Sequence, residues 1–310
     1  MGPIATVALS FLLCGVSRSQ TPTPTIRTFK TVGTSELEAH IFQPTHGAKG
    51  KMRSAIIVLH GGGWNAGSPE TTYAGGPEWT YYDTQRFAEL GMVAIAGEYR
   101  LSNQKDIPSP EAMADTRDLI RWVRDHAAEL GVDPQRVAVY GSSAGGHLAV
   151  SAAVFPHAEE SKTSAVPDAL ILLSPAASIV CDQRPQRLLG TRGEVKTISP
   201  GENITGRLPP MIVIEGAADT KTPLAGVQRF CNCAKQVGGI CELHVYPNLG
   251  HLLSRNLAPQ AQEQGPFDPD PTASNAAQAA EHAFLVDIGY ISAWVKFVWR
   301  TEKSKVSVAK

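Results

Sequence analysis

The residues best suited to chemistry lie in segment 141–145, Gly-Ser-Ser-Ala-Gly, which fits the pattern G-x-S-x-G. Residues 137–140 before it are β-branched or aromatic, which is typical of a buried strand, and the small apolar run 148–154 is typical of a helix packed on a sheet. A tight turn between strand and helix pushes a serine hydroxyl out of the sheet, and flanking glycines leave room for it. The segment therefore predicts that Ser143 is a nucleophile.

A serine hydroxyl is a weak nucleophile at neutral pH, so it needs a base and a group that orients the base. His251 follows the last predicted strand, and Asp219 follows the predicted strand 211–214. Both therefore lie at carboxyl ends of strands, where sites form in parallel sheets. We predict Ser143 as the nucleophile, His251 as the base and Asp219 as the acid.

Other residues compete for the two supporting roles. His244 lies within a predicted strand, His282 lies on the last helix and is expected to face solvent, and His147 follows the serine on a helix where it is expected to pack. For the acid, the competitors are Glu215, at the end of its strand, and Asp168. Position at a strand end favours His251 and Asp219 over these alternatives.

An oxyanion hole is predicted in segment 60–63, His-Gly-Gly-Gly. Glycines let backbone N–H groups approach a substrate oxygen without side-chain obstruction. We assign Gly62 and Gly63 as donors, with Ala144, the residue after the nucleophile, as the third. His60 is expected to orient this loop through hydrogen bonds.

Strands alternate with helices along the chain, and most strands are continuous apolar runs. This predicts an α/β fold with a mostly parallel central sheet of about eight strands, an N-terminal antiparallel hairpin and helices on both faces. We place one domain at residues 26–300, with a long helix over 111–130 and a closing helix over 276–299, and followed by a polar tail at 301–310. Insertions are expected near residues 64–80, 176–208 and 252–275.

The composition excludes some classes of partner. The 310 residues carry a formal net charge of −1 and contain no basic stripe, so no nucleic-acid partner is expected. Residues 1–19 contain an apolar run followed by Ser-Arg-Ser, which predicts a secretory signal peptide, and residues 20–25 are a linker. A lipoprotein site at Cys14 and an N-terminal apolar strand or helix are the alternatives. We expect a secreted or periplasmic protein without stable membrane insertion after signal removal.

Removal of a signal would leave four cysteines, and an even number permits two disulfides in an exported chain. A Cys231–Cys241 bridge is predicted, because Cys231 lies on the apolar face of a helix and Cys241 opens the next strand. That leaves Cys181 to pair with Cys233; buried free thiols are the alternative. No Cys–His cluster has ligand spacing, so neither a metal site nor a cofactor is predicted.

Five segments together resemble the α/β-hydrolase superfamily, in particular esterases of the hormone-sensitive-lipase type and the acetyl- and feruloyl-esterase-like bacterial hydrolases. These segments are HGGGW at 60–64, EYRL at 98–101, GSSAGGHLA at 141–149, GAADTKTP at 216–223 and GH at 250–251. The resemblance covers roughly residues 50–300. It implies an α/β-hydrolase fold, whose triad follows the chain order Ser, Asp, His. No separate N-terminal cap domain is visible.

The predicted function is a serine carboxylesterase that forms an acyl-enzyme and acts on short-chain or aromatic esters. Export and the resemblance extend the expected substrates to oligosaccharide esters and to acyl groups on plant polysaccharide. A formamidase or peptidase-type amide hydrolase on the same fold is the main alternative, and a non-catalytic binding protein is a second. The aromatic candidates for the substrate pocket, with ordinary loop packing as the alternative, are Trp64, Tyr73 and Trp79.

Overall fold

The computed structural model describes residues 23–44, 52–70, 79–102, 109–157, 161–180, 194–257 and 267–293. Its centre is one eight-stranded sheet. The strands are β1 (Thr25–Val32), β2 (Ser35–Phe42), β3 (Arg53–Leu59), β4 (Val93–Gly97), β5 (Val132–Ser142), β6 (Ala169–Leu173), β7 (Met211–Gly216) and β8 (Cys241–Tyr246). They are ordered β1-β2-β4-β3-β5-β6-β7-β8. The β1–β2 and β2–β4 pairings are antiparallel and the other pairings are parallel, which confirms the predicted α/β-hydrolase topology.

Helices cover both faces of this sheet. They are α1 (Trp79–Glu89), α2 (Ser109–Asp125), α3 (Ala127–Leu130), α4 (Ala144–Val154), α5 (Leu224–Gln236) and α6 (Pro271–Asp287). Because successive strand residues point to opposite faces, Ile57 belongs to the buried cluster that contains Phe230 of α5, whereas Ile56 belongs to the one that contains Phe87 of α1 and Phe284 of α6. Each such side chain, fully buried, contributes about 1.5–3 kcal/mol through loss of apolar surface.

The strand ends place the predicted chemistry at one edge of the sheet. Because β3, β5 and β7 run parallel to one another, the chain leaves all three on the same side. The glycine-rich loop follows β3, Ser143 follows β5, and Asp219 lies just beyond β7. The fold therefore gathers residues that are far apart along the chain.

Two helix predictions are corrected. The closing helix begins at Pro271, where the Asp270 carboxylate caps the N–H of Ala273 (2.8 Å), and it ends at Asp287, not at residue 299. Gly289 then adopts a left-handed conformation with φ of 75°, which stops the helix. The single helix predicted over 111–130 is instead divided into α2 and α3 at His126.

In the predicted insertion 176–208 the structure contains two short 3₁₀ turns, Val195–Ile198 and Pro200–Glu202, while residues 181–193 lie outside the described part. Among the helices that the structure describes, none combines the length and the apolar character needed to cross a bilayer.

The predicted Cys231–Cys241 disulfide is present and joins α5 to β8, with a Cα–Cα distance of 5.5 Å. Both cysteines are buried against the core. Cys233 carries a free thiol, so the predicted Cys181–Cys233 pairing is wrong. Cys181 itself lies outside the described residues. Two residues along α5 from Cys231, Cys233 points away from the face that meets β8.

Candidate active site

Ser143 lies on a strained turn between β5 and α4, with φ of 53° and ψ of −116°. Such a backbone conformation costs a non-glycine residue roughly 1–3 kcal/mol. The turn needs glycine on both sides: a Cβ at Gly141 would lie 2.3 Å from the carbonyl oxygen of Gly145, and a Cβ at Gly145 would lie 2.3 Å from that of Leu59. The N–H of Ser143 donates to the carbonyl of Leu173 (3.0 Å), which fixes the turn to the neighbouring strand.

The three residues predicted as nucleophile, base and acid meet at this turn. His251 Nε2 lies 2.9 Å from Ser143 Oγ, and His251 Nδ1 lies 2.7 Å from Asp219 Oδ2. Because a carboxylate oxygen can only accept, Nδ1 carries the proton and Nε2 presents a lone pair to the serine hydroxyl. His251 is 2% exposed and Asp219 is 5% exposed, so bulk water is excluded from the bond between them.

Asp219 is held in place by further donors. Its Oδ1 accepts hydrogen bonds from the N–H groups of Lys221 (2.7 Å) and Thr222 (2.9 Å), and its Oδ2 accepts from the Thr222 hydroxyl (2.8 Å). Burial by itself raises the pKa of Asp219, but the neighbouring His251 and these hydrogen bonds outweigh burial and lower the pKa to about 2. Asp219 is therefore ionised at any working pH.

Glu215, the alternative acid, has a different protonation state from Asp219. It lies within β7, is fully buried, and its Oε1 accepts a hydrogen bond from the N–H of Gly216 (3.0 Å). Burial, followed by the negative charge of Asp219, raises the pKa of Glu215 well above its usual range. Glu215 is therefore a neutral acid whose hydrogen bond with Asp219 favours the ionised form of Asp219.

The remaining competitors are engaged elsewhere. Asp168 pairs with Arg124 (2.8 Å). His147 is fully buried in α4, where burial lowers its pKa to about 4 and its Nε2 donates to a backbone carbonyl (2.7 Å). His244 lies half-exposed on β8 near a glutamate of the same strand, and His282 is half-buried on α6.

The loops that carry Asp219 and His251 approach closely because of Gly216. A Cβ at Gly216 would lie 2.4 Å from the carbonyl oxygen of Gly250 and 2.5 Å from that of Leu249. The N–H of Ala218 also donates to the Leu249 carbonyl (2.8 Å), which ties the two loops together. Sequence reasoning missed this role, although the glycine at the end of an otherwise apolar strand is the signal that could have revealed it.

Ser174 and Thr222 are two further residues that sequence reasoning missed. The Ser174 hydroxyl accepts from the N–H of Leu252 (3.0 Å) and so holds the turn that carries His251. The Thr222 hydroxyl lies within 3.2 Å of both the Ser174 carbonyl and His251 Nδ1. Ser174 directly follows β6, at the same sheet edge as the other site residues, which is the signal available from sequence.

The loop predicted as the oxyanion hole lies against the serine. A Cβ at Gly61 would be only 3.3 Å from Ser143 Cβ, and the loop turns on Gly62 and Gly63, both with positive φ. Ala144 is the first residue of α4, so its N–H belongs to the group of helix amides without an intrahelical acceptor. Within the described residues, the amides of Gly62, Gly63 and Ala144 donate to no protein acceptor and remain available to a ligand.

His60 is connected to this loop by hydrogen bonds, as its predicted orienting role requires. Its Nδ1 donates to the carbonyl of Gly61 (2.7 Å), and its ring stacks on Tyr99 at 4.3 Å. The Tyr99 hydroxyl donates to the His60 carbonyl (2.9 Å). Burial lowers the pKa of His60 to about 4, so it is a neutral structural group.

The aromatic pocket candidates have mixed outcomes. Trp64 is 4% exposed and packs in the core, with its indole N–H donating to His147 Nδ1 (3.3 Å), so packing accounts for it. Tyr73 lies outside the described residues, as does the side chain of Trp79, which begins α1.

Comparisons with known proteins identify esterases that are similar to this chain. The family model BD-FAE matches residues 40–170. Esterase 2 of Thermogutta terrifontis, solved after phosphorylation by paraoxon, has a TM-score of 0.73 and 33% identity, covering 88% of this chain and 97% of that one. The same esterase has been solved with propionate bound.

Curated relatives are matched over shorter segments. Carboxylesterase NlhH of Mycobacterium tuberculosis is 37% identical over 30% of this chain and 26% of its own length. Esterase LipQ of the same organism is 26% identical over 66% of this chain and 52% of its own length. The chain thus spans about half the length of these relatives or less. Since the likeness to the Thermogutta enzyme extends over nearly all of that enzyme, the chain belongs to the esterases of the α/β-hydrolase superfamily.

Proposed function

We propose that the protein is a serine carboxylesterase with Ser143, His251 and Asp219 as its catalytic triad. The observation that carries this proposal is the 2.9 Å contact between His251 Nε2 and Ser143 Oγ, with Asp219 on the other side of the imidazole at 2.7 Å. The tautomer that this arrangement imposes is the one that can accept the serine proton.

The reaction begins when Ser143 Oγ attacks the ester carbonyl and its proton passes to His251 Nε2. Asp219, ionised because its pKa is lowered to about 2, stabilises the imidazolium that forms. His251 then gives this proton to the leaving alcohol. Water, activated by the same imidazole, attacks the acyl-enzyme and releases the carboxylic acid.

The negative charge on the carbonyl oxygen is received by the amides of Gly62, Gly63 and Ala144. These donors are fixed before the substrate arrives, so no reorganisation is required as charge develops. Each donor of this kind contributes about 3–4 kcal/mol of transition-state stabilisation.

Short-chain acyl esters are the substrates we propose first, because the related Thermogutta enzyme has been solved with propionate bound. We further propose that the substrates include acyl groups on plant polysaccharide or oligosaccharide. The resemblance of the motifs to acetyl- and feruloyl-esterase-like hydrolases supports this proposal. Hydrolysis of acetylated xylan compared with p-nitrophenyl acetate measures this preference. Release of acetate from the small ester alone rejects the polysaccharide proposal.

Export through a signal at residues 1–19 remains part of the proposal. The Cys231–Cys241 disulfide supports it, since disulfides persist in oxidising compartments. N-terminal sequencing of protein from the periplasm or medium tests it: a mature chain that begins near residue 20 is expected, and an uncleaved cytoplasmic chain contradicts it.

Substitution of Ser143 by alanine tests the catalytic assignment. We expect Ser143→Ala to lose p-nitrophenyl acetate hydrolysis and labelling by a fluorophosphonate probe, while the neighbouring Ser142→Ala keeps both. Hydrolysis retained by Ser143→Ala rejects the assignment. Parallel assays of matched ester and anilide substrates separate an esterase from an amide hydrolase on the same fold.

A further inference from the structure

A second cluster of ionisable side chains lies where β2 meets β4. Glu38 and His40 are two residues apart on β2, so they project from the same face of the sheet, and Glu98 directly follows β4. The N–H of Glu98 donates to the Glu38 carbonyl (3.0 Å), and the N–H of Glu38 donates to Glu98 Oε2 (2.9 Å). One side-chain ligand atom from each of the three residues lies within 4.8 Å of the other two.

His40 has an unusual environment within this cluster. It is 3% exposed, and its Nε2 is buried without a hydrogen-bond partner in the described part of the chain. That nitrogen lies 3.3 Å from Glu38 Oε2, so it faces the two carboxylates. A buried nitrogen in this position needs an acceptor when it carries a proton, and a cation when it presents a lone pair.

The other nitrogen of His40 contacts Tyr81, which links the cluster to α1. Nδ1 lies 2.5 Å from the Tyr81 hydroxyl, and that hydroxyl donates its proton to Glu70 Oε1 (3.2 Å). With the hydroxyl donating to Glu70, Nδ1 donates to the hydroxyl oxygen, and Nε2 then directs its lone pair at the carboxylates. Metal-binding histidines usually donate their other ring N–H to a carboxylate, a backbone carbonyl or water, and the Tyr81 hydroxyl takes that place here.

We propose that Glu38, His40 and Glu98 form a binding site for a divalent transition-metal ion, with Zn²⁺ as the ion that fits best. One imidazole nitrogen and two carboxylate oxygens are ordinary zinc ligands. Tetrahedral ligands at zinc bond lengths of about 2.0–2.1 Å are about 3.3–3.4 Å apart, which matches the separation of His40 Nε2 and Glu38 Oε2.

The site has a structural role. Zinc there would tie β2 and β4 to each other and, through Tyr81 and Glu70, to α1 and the loop that precedes it. Tyr99 is adjacent to Glu98, and its hydroxyl donates a hydrogen bond to the carbonyl of His60 at the start of the oxyanion loop. Ester hydrolysis by the triad needs no metal, so the expected effect of zinc is on the stability of the folded state.

The test uses the full chain after treatment with a chelator. Calorimetric titration with zinc sulfate is expected to give one ion per chain at this site, and Tm is expected to rise by about 5 °C at a hundredfold excess over the dissociation constant. The double variant Glu38→Gln/Glu98→Gln is expected to lose both effects. Glu36→Gln, an exposed position on the same strand, is the matched control and is expected to retain both.

Three results would overturn the proposal. The first is no binding of zinc by the wild type, which would leave the cluster as a contact between His40 and Glu38 without a metal. The second is binding that persists in the double variant. The third is zinc bound only at His251, which would inhibit ester hydrolysis and would survive both glutamate substitutions. A His40→Gln variant adds an independent check, since it removes the nitrogen ligand and keeps both carboxylates.

Discussion

Glu215 and Asp219 are neighbouring buried carboxyl groups whose pKa values are shifted in opposite directions. Burial and the adjacent Asp219 raise the pKa of Glu215 well above its usual range, whereas His251 and hydrogen bonds from Thr222 overcome burial and lower the pKa of Asp219 to about 2. One group is therefore neutral and the other ionised at neutral pH. Only the ionised group can stabilise an imidazolium, which separates the two roles.

Replacing Glu215 with glutamine is expected to keep kcat/KM within about threefold, because a neutral amide can still donate to Asp219. The free energy of unfolding should depend on pH differently in the wild type and in the variant. Between pH 4.5 and its raised folded pKa, Glu215 holds a proton only in the folded state, so its contribution to the free energy of unfolding falls by about 1.4 kcal/mol per pH unit. Asp219 is ionised in both states there and adds no slope.

Urea unfolding of wild type and Glu215→Gln at pH 5 to 8 measures this slope. The variant should gain stability relative to wild type as pH rises. A difference that does not change with pH would contradict a neutral Glu215.

Asp219→Asn is expected to lower kcat by roughly 10⁴-fold, since an amide cannot stabilise the imidazolium or impose the required tautomer. Thr222→Val removes one donor to Asp219 Oδ2, and a bond to a carboxylate worth about 1.5 kcal/mol corresponds to roughly tenfold in kcat. Steady-state kinetics with a short-chain ester measure both effects. Thr222→Ser keeps the hydroxyl and is the control; an equal loss in the serine and valine variants would show that the hydroxyl is not the cause.

Gly216→Ala is expected to separate the loops of the acid and the base, because its Cβ would lie 2.4 Å from a backbone oxygen of Gly250. We expect the free energy of unfolding to fall by about 1–3 kcal/mol. We also expect kcat to fall by a larger factor than the loss of folded protein explains. Gly206→Ala is the matched control, since a Cβ there meets nothing within 4 Å. Similar losses in the two variants would refute a specific role for Gly216.

Removal of the Cys231–Cys241 bridge by double substitution to alanine is expected to cost about 2–3 kcal/mol, the value for a loop closed over a sequence separation of 10. Thermal unfolding with and without a thiol reductant measures this cost. Cys233→Ala, which removes a free thiol, should leave Tm close to the wild-type value. If reductant lowers the Tm of the double variant as much as that of the wild type, the bridge is not the stabilising element.

Local patterns in the sequence determined the elements of this fold and the reaction class. The apolar run that ends at residue 59 and the glycines around Ser143 each carry their information within a few residues, because burial on both faces and a strained turn dictate residue type directly. The order of Ser143, Asp219 and His251 along strand ends was enough to predict that they would meet.

Tertiary structure alone decided the properties that depend on distance between remote segments. Nothing near Glu215 in the chain indicates that it stays neutral beside an ionised Asp219; that follows from burial and from the approach of His251, 32 residues beyond Asp219. The sequence likewise makes Trp64 a candidate for the substrate pocket, whereas its contact with His147 places it in the core. Burial, charge and hydrogen-bond partners depend on the whole packed molecule. A local pattern therefore indicates which residue type is needed, but not the protonation state or the contacts of that residue.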